Sequence, residues 1–308
     1  MTSGSRRAFL VGTGAEIFRS AVGAAEASGI IDTHIHLYDP TRPQGIPWPP
    51  KGDALLYKPV LPPDFERLVR PIGVTGAVVI EASSWVEDNQ WLLDLARDNP
   101  FILGVVGHLE PGTPEFRERL KRFSKNPLFR GIRLNGTAIQ RGLERPEFLE
   151  HLRAVADGGL ALDAIGSATM IASLLRLTSR IPNLRVVIDH LPVEPTGWAA
   201  SSNTHAMDTR AALRDLAKRP QVYAKVSGVL RKIDGAVPTD LGVYKPALDE
   251  VWTLFGADRV MFGSNWPVSD RLGTYSRVLR IVRDYVKART PGEAEKFLRL
   301  NSKAFYVI

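Results

Sequence analysis

The 308-residue sequence predicts a (β/α)8 TIM barrel with an additional C-terminal helix, on three observations. Short apolar runs rich in β-branched residues recur along the chain, amphipathic segments of helical period separate them, and the length suits one barrel domain. Parallel strands buried on both faces have this apolar character and need a crossover segment between them. We therefore expect a single barrel over residues 29–308, with an open doubly wound sheet as the alternative architecture.

Eight segments have the apolar, β-branched character of buried strands. In chain order they are GIIDTHIHL, TGAVVIEAS, FILGVVGHLE, FRGIRLNG, LALDAIG, LRVVIDHLP, VYAKVSGVL and RVMFGSNWP. The segments between them have helical periodicity, and many open on Ser, Thr, Asp or Pro, which are helix start signals. The last segment, PGEAEKFLRLNSKAFYVI, is expected to form a terminal helix packed on the outside of the barrel.

The composition is that of an ordinary globular protein, with 44% hydrophobic and 24% charged residues. No apolar run is long enough to span a bilayer, so we expect no membrane insertion. The formal charge of +7 does not indicate nucleic acid, because the basic residues are spread along predicted helices and interleaved with acidic ones. The chain has no cysteine, which excludes disulfides and thiolate ligands. We expect a small-molecule substrate. The sequence does not indicate whether the protein is a monomer or an oligomer.

Residues 1–28 have features of a targeting segment rather than of the barrel. The stretch SRRAFLVGTG is similar to a twin-arginine export signal, and an Ala-Glu-Ala sequence ending at residue 27 could serve as a cleavage site. Glu16 and Arg19 interrupt what should be an apolar core. We expect an exported, periplasmic protein, and the alternative is a cytoplasmic protein with a disordered basic tail.

Polar side chains gather at the predicted C-terminal ends of the strands, where the active sites of (β/α)8 barrels lie. His34 and His36 close the first strand. Residues i and i+2 of a strand point to the same face, so these two imidazoles can act on one object. Later strands close on the following polar residues: Glu81 on the second, Arg133 on the fourth, His190 on the sixth and Asn265 on the eighth.

Alternation along the sixth and eighth strands predicts which of these side chains point into the barrel. Val186, Ile188 and His190 share one face of their strand, and we expect that face to point inward, as we do for the face that carries Asn265. Asp189 then alternates away from His190 and is expected to be structural. The inward reading of the seventh strand makes Lys225 a buried amine that needs a carboxylate partner, for which Asp163 is the candidate.

The three histidines His34, His36 and His190 leave three interpretations open. They could bind one Zn²⁺-like ion with a position left for water, they could donate hydrogen bonds to a substrate, or they could be structural residues bonded to the backbone. A binuclear centre is not expected, because the fifth strand has no histidine and the eighth has no aspartate. We expect one divalent metal ion or none, and no organic cofactor.

Taken together and in order, the motifs IDTHIHLYDP, RGIRLNG, VVIDHLP, KVSGV and FGADRVMFGSNWP resemble those of the amidohydrolase superfamily. The resemblance is to the amidohydrolase-related branch that includes sugar lactonases and pyrone-dicarboxylate hydrolases, and it covers the chain from residue 29 onward. It implies a barrel in which His34, His36 and His190 surround the scissile carbonyl, directly or through a divalent metal. It also implies a water delivered by an aspartate of the eighth strand.

The sequence departs from that pattern at the aspartate, because GSDWP reads GSNWP and the position is Asn265. A carboxamide cannot take a proton at neutral pH and is a poor zinc ligand, although it can orient a water or donate to an oxyanion. Glu81 is therefore the first candidate for the general base and Asp270 the second. Glu81 could instead be the buried partner of Arg133, and Asp270 a solvated loop charge.

The first loop, from residue 38 to residue 64, is long and rich in proline, and we expect it to act as a lid. Trp48, Trp85 and Trp266 follow strands and offer flat faces to a sugar or another ring, and Arg133 could hold a carboxylate. Trp198 is a fourth candidate.

These features fit a hydrolase acting on a cyclic ester, which we expect to be a sugar-derived or carboxylated lactone. Two alternatives stay open. One is a metal-dependent decarboxylase or other lyase of the same superfamily, and the other is a non-catalytic ligand-binding relative, which the change to Asn265 would explain.

Overall fold

The structure is a computed structural model that describes residues 29–190 and 204–308. Residues 1–28, with the expected export signal, lie outside the described residues, and so does Trp198. Among the helices that are described, none combines the length and the apolar character needed to cross a membrane.

The described residues contain one eight-stranded sheet whose strands follow each other in chain order, every neighbouring pair being parallel. This order is that of a (β/α)8 barrel and confirms the predicted fold. The strands are β1 Ile30–Ile35, β2 Val74–Ile80, β3 Ile102–Gly107, β4 Phe129–Asn135, β5 Ala161–Ile165, β6 Arg185–Ile188, β7 Val222–Val226 and β8 Val260–Phe262.

The segment after β8 closes the barrel against β1. The amide of His36 donates to the carbonyl of Trp266 and the amide of Asn265 donates to the carbonyl of His34, both at 2.8 Å. Gly263 allows this approach, because a Cβ atom at that position would come within 2.7 Å of the His34 Cβ. The closing contacts therefore involve the same residues that the sequence places at the site.

Helices lie between the strands and cover the outside of the barrel. Several start as the sequence predicts: the Asp240 and Thr274 side chains accept backbone N–H bonds at their helix starts, and Thr290 and Glu293 form a capping box. The described helices are α1 Pro62–Val69, α2 Asp88–Arg97, α3 Phe116–Phe123, α4 Gly136–Gly142, α5 Pro146–Asp157, α6 Met170–Arg180, α7 Thr204–Ala217, α8 Leu241–Phe255, α9 Tyr275–Val286, α10 Pro291–Glu295 and α11 Asn301–Tyr306.

Two apolar clusters divide the core. The larger one lies between the helices and the outer faces of the strands and includes Val186 and Ile188. The smaller one fills the barrel interior and includes Val187 of β6. The prediction that Val186 and Ile188 point inward is therefore wrong, because β6 presents its odd-numbered residues to the interior.

The C-terminal helix α11 also differs from the prediction. Phe305 and Tyr306 belong to the interior cluster, together with side chains of β2, β3, β6 and β8, and both are almost fully buried. The helix thus does not only pack on the outside of the barrel, since two of its side chains fill the barrel floor. The aromatic rings provide apolar area where the strands leave space beneath the polar site.

Candidate active site

The structure brings together the three histidines that the sequence singled out. The rings of His34 and His36 lie 5.0 Å apart between centroids, and those of His34 and His190 lie 4.8 Å apart. His34 and His36 are buried and His190 is partly buried. The ends of β1 and β6 thus converge on a single site.

The hydrogen bonds of His36 define which of its nitrogens is protonated. Nδ1 lies 2.9 Å from the carbonyl oxygen of Ile80, which can only accept, so Nδ1 carries the proton and Nε2 carries a lone pair. The side-chain amide of Asn265 lies next to that Nε2, and the amide atom assigned as Oδ1 is 3.3 Å away from it. Because two acceptors do not bond, we infer that Asn265 presents its NH₂ group to His36.

Burial keeps all three imidazoles uncharged. Removal from water lowers the pKa of His36 to about 3 and that of His190 to about 4, and the positive charge of Arg133 adds to both effects. Burial likewise holds the pKa of His34 well below its usual range. At neutral pH the cluster consists of neutral imidazoles, which is the form that binds metals and accepts protons.

A buried ion-pair network supports His34 from within the barrel. The Asp189 Oδ1 atom lies 3.4 Å from Nδ1 of His34 and 2.9 Å from Nζ of Lys225. Lys225 also contacts Asp163 Oδ2 at 2.5 Å, which confirms the predicted Lys225–Asp163 pairing. The expectation that Asp189 points away from the site is wrong, because Asp189 shares the inward face of Val187.

His190 still reaches the site because its backbone leaves the strand conformation. Its backbone φ is 65°, in the left-handed region that residues other than glycine rarely adopt. Its Nδ1 contacts the Ser227 hydroxyl at 3.1 Å. Asn265 has the same conformation, with φ at 64°. Left-handed backbone at a non-glycine residue costs about 1–3 kcal/mol and is concentrated at functional sites. Here it turns both side chains toward His34 and His36.

Glu81 and Arg133 form an ion pair beside the cluster. Arg133 Nε donates to Glu81 Oε1 at 2.8 Å and its Nη2 donates to the Glu81 carbonyl at 2.8 Å. The other guanidinium nitrogen, Nη1, lies 4.0 Å from Asp189. Both members of the pair are little exposed, so Glu81 is at once the candidate base and the buried partner of Arg133. Asp270 is half-buried after β8, and burial raises its pKa.

The three predicted tryptophans occupy different environments. The Trp48 ring lies 6.0 Å from that of His36 and 5.5 Å from that of Tyr38, so the first loop reaches the histidine cluster. Trp85 is 38% exposed on the surface. Trp266 is buried and packs against Phe65 at 5.1 Å. Only Trp48 of these three lies beside the histidines.

A cavity of about 490 Å³ opens beside the ion pair of Glu81 and Arg133. It lies over the ends of β2 to β5, and its wall includes His108, Arg141 and Arg145. Ligand pockets are typically about 300–1,000 Å³, so this space suits a small cyclic substrate.

Two further buried acidic residues were not identified from the sequence as part of the site, Asp32 and Asp189. Asp32 accepts from the backbone amides of His34 and Ser264 and from the hydroxyl of Tyr275, all at 2.9–3.0 Å. Burial raises its pKa to about 6. An aspartate inside an otherwise apolar strand was the available signal, because such a residue must find buried partners.

The donor chemistry of the cluster fits a divalent metal ion in part. Within residues 29–190 and 204–308, no three histidine or carboxylate side chains form a group arranged to hold a metal. Two imidazoles nevertheless have the required form. The Nε2 of His34 is buried without a hydrogen-bond partner, and the Nε2 lone pair of His36 would be free for a metal once the Asn265 amide turns away from it. The backing of His34 Nδ1 by Asp189 is typical of metal-binding histidines. His34 and His36 therefore fit as two ligands.

A closed (β/α)8 barrel with neutral histidines and a buried ion-pair network at the C-terminal strand ends is the architecture of an amidohydrolase-type hydrolase. The chain belongs to the amidohydrolase family, whose sequence model matches residues 31–308. This confirms the resemblance carried by the sequence motifs, and the protein is therefore an enzyme.

One curated relative supports this membership, and two solved structures share the fold. The L-fucono-1,5-lactonase of Burkholderia ambifaria is 32% identical over 247 residues, which cover 80% of this chain and 82% of that protein. The crystal structure of an amidohydrolase from Burkholderia multivorans with bound zinc has a TM-score of 0.79 and 24% identity, covering 91% of this chain and 99% of that one. A probable 2-pyrone-4,6-dicarboxylic acid hydrolase from Acinetobacter baumannii has a TM-score of 0.71 and 21% identity, covering 91% and 100%.

Proposed function

We propose that the protein is a lactonase that hydrolyses a sugar-derived lactone by attack of water on the ring carbonyl. The observation that carries the proposal is the buried His34 Nε2 without a hydrogen-bond partner, beside the Nε2 lone pair of His36. The 32% identical L-fucono-1,5-lactonase supports a six-membered aldonolactone as substrate.

We further propose that His34 and His36 hold one divalent ion, with Zn²⁺ the first candidate. The zinc in the related Burkholderia multivorans structure supports this choice. When bound, such an ion supplies Lewis acidity to the carbonyl oxygen and lowers the pKa of water. The alternative of hydrogen bonding from the histidines to the carbonyl is disfavoured for His36, because its only ring proton is donated to Ile80.

The chain's own groups perform the remaining tasks. Glu81 lines the cavity and takes the proton of the attacking water, while Arg133 holds this carboxylate in place. The Asn265 amide, which lies beside His36, turns from its Nε2 to orient that water. As the ring C–O bond breaks, the proton passes from Glu81 to the leaving alkoxide oxygen, which yields a hydroxy acid.

The first loop completes the substrate pocket. Trp48 lies next to His36, so the indole ring can cover one face of a sugar lactone and exclude water from that face. Arg133, besides holding Glu81, lines the cavity and can donate a hydrogen bond to a hydroxyl or carboxylate oxygen of the substrate.

A pH-indicator screen of sugar lactones, with L-fucono-1,5-lactone included, tests the proposal. Hydrolysis releases acid, and the His190→Asn variant should lose at least about 10²-fold in turnover while keeping the melting temperature within a few degrees. His151→Asn is the matched control, because His151 belongs to helix α5, where it stacks on Phe116 and accepts a hydrogen bond from the Gly112 amide, and it has no contact with the histidine cluster among the described residues.

Three results would contradict the proposal. Unchanged turnover in His190→Asn removes the histidine cluster from the reaction. Thermal stabilisation by a lactone without any product identifies a binding protein instead. Release of carbon dioxide from a carboxylated substrate, with no lactone hydrolysis, identifies a decarboxylase.

A further inference from the structure

A continuous series of buried side chains connects the barrel floor to the histidine cluster. It runs from Tyr306 through Asp163, Lys225 and Asp189 to His34. None of these five residues is more than 4% exposed. The last helix of the chain is thus linked through polar contacts to the first strand.

Tyr306 fixes the first member of this series. Its hydroxyl lies 2.8 Å from Oδ2 and 3.0 Å from Oδ1 of Asp163, so it donates to one oxygen or the other. Removing that donor would leave Asp163 with Lys225 as its remaining described partner. Burial raises the pKa of Asp163 and the Tyr306 hydroxyl lowers it, so loss of this donor favours a neutral carboxyl group, which holds the Lys225 ammonium group less strongly.

The Lys225 ammonium group donates to Asp163 and forms an ion pair with Asp189. Nζ lies 2.5 Å from Asp163 Oδ2 and 2.9 Å from Asp189 Oδ1, and both distances are short. It lies 3.5 Å from His34 Nδ1, beyond the usual range of a strong hydrogen bond. The two carboxylates therefore draw the ammonium group away from the imidazole.

The two neighbours of His34 Nδ1 favour opposite protonation patterns of the ring. Nδ1 lies between Asp189 Oδ1 at 3.4 Å, which would accept a proton from it, and Lys225 Nζ at 3.5 Å, which would donate one to it. In the first case Nε2 carries a lone pair toward the site. In the second case Nε2 carries the proton and its lone pair is lost.

We propose that Tyr306 and Asp163 are positioning residues that hold Lys225 away from His34 and thereby keep the His34 Nε2 lone pair open to the site. The effect of this positioning on turnover rests on the proposed lactonase function. The effect on the His34 ring does not, because the tautomer is a property of the free protein.

The test compares Tyr306→Phe with Tyr285→Phe. Both variants keep the aromatic ring, and Tyr285 is a matched control because its hydroxyl donates to Asp249 at 3.0 Å on the outside of the barrel. Protein labelled with ¹⁵N-histidine reports the His34 tautomer by NMR, as purified and after dialysis against a chelator. A His34→Gln variant assigns the signal.

We expect Tyr306→Phe to move the His34 ring nitrogens toward the Nε2–H pattern and to lower kcat about tenfold with KM changed less than about twofold. Tyr285→Phe should change neither. Asp163→Asn should shift the same signal, since an amide holds the ammonium group less strongly. If Tyr306→Phe does not fold, Asp163→Asn alone decides.

An epistasis experiment separates this effect from a general loss of packing. In an Asp163→Asn/Lys225→Met background there is no ammonium group to move, so adding Tyr306→Phe should leave the His34 signals unchanged. The proposal is overturned if Tyr306→Phe and Asp163→Asn leave the His34 tautomer as in the wild type. Absence of lactonase activity in every protein would contradict the proposed function while leaving the NMR result interpretable.

Discussion

At the scale of single residues, the chemistry depends on imidazoles that stay uncharged. Desolvation is the largest cause in all three histidines, and the Arg133 charge works in the same direction for His36 and His190. A neutral ring keeps its lone pair when the solution becomes mildly acidic. The site therefore has a wider working range than ordinary histidines would allow.

This predicts the acid side of the activity profile. Because the pKa values of His36 and His190 are lowered to about 3 and 4, the active neutral form persists as the pH falls below the usual histidine value. We expect kcat/KM to stay within about twofold between pH 8 and about pH 5 and to fall below that. Titration at constant pH measures it, and an acid limb centred near pH 6.5 would contradict it.

The Asn265→Asp variant should move that limb. It places a negative charge next to His36 Nε2, where the amide atom lies at 3.3 Å, and an adjacent carboxylate favours the protonated imidazole. We expect the acid limb to move about one pH unit toward neutrality, with activity at pH 5 reduced most. The backbone tolerates the change, because aspartate also adopts left-handed conformations.

Asn265→Ala is the control for this variant, since it removes the amide without adding charge and should leave the limb in place. A gain of activity in Asn265→Asp at pH 8 would show that the native amide limits turnover. A loss at that pH would show that the amide has a task in the reaction. An unmoved limb would contradict the assigned contact with His36.

The residue pair Asp189–His190 shows where sequence reasoning failed. Strict alternation predicted that His190 points inward and Asp189 outward. The strand ends at Ile188, and the left-handed φ of 65° at His190 lets both side chains reach the interior. Side chains alternate between the two faces only while the backbone stays extended. A single sequence does not indicate the residue at which the extended conformation ends.

At the scale of elements, the first loop is the part that covers the site. Tyr38 and Val60 pair through two backbone hydrogen bonds at its base. Farther out, Arg42 donates to both carboxylate oxygens of Asp88 at 2.9 and 3.2 Å, and its guanidinium lies over the ring of Trp91. The predicted lid is thus anchored to helix α2 by one largely buried ion pair.

The Arg42→Ala variant tests this anchor. It leaves the Asp88 carboxylate buried without its charged partner and frees the loop that carries Trp48. We expect KM to rise about tenfold, kcat to change less than about threefold and the melting temperature to fall by several degrees. Steady-state kinetics and a thermal melt measure these effects.

Arg67→Ala is the matched control, because its ion pair with Asp64 is exposed and exposed pairs contribute little. A rise in KM of the same size in both variants would rule out a specific anchoring role for Arg42.

The C-terminal helix illustrates a second limit of sequence reasoning. Its helical pattern was recognisable, but periodicity gives an apolar face and not the surface that the face covers. Phe305 and Tyr306 enter the barrel interior rather than lying only against outer helices. That placement depends on the space left under the strands, which no local pattern in the chain reports.

At the scale of the whole molecule, the proposed metal site predicts a response to chelation. Dialysis against a strong chelator should lower turnover at least about 10²-fold and lower the melting temperature, because a ligand that binds only the folded state stabilises it. Added Zn²⁺ should restore both, and Mn²⁺ serves as the comparison. Elemental analysis before and after dialysis measures occupancy. Full turnover in demonstrably metal-free protein would contradict the proposal.

The barrel architecture was predictable, because each of the eight strand–helix units carries the same hydrophobic pattern. Eight apolar strand segments and the intervening helices each gave the same signal, so the misassigned faces of β6 did not alter the barrel. The convergence of His34, His36 and His190 was predictable for the same reason, since all lie at strand ends. The residues Asp189 and Tyr306 were not, because the partner that each contacts lies far away in the sequence.

The seam between β1 and the segment after β8 has a consequence for how activity first arises. The residues that it joins, His34 and Asn265 among them, are separated by about 230 positions in the chain. A nascent or refolding polypeptide therefore has no working centre until its last strand docks onto its first, and contacts so remote in sequence form late. Recovery of turnover after dilution from denaturant should lag behind recovery of helical circular dichroism, since only the finished cylinder is an enzyme.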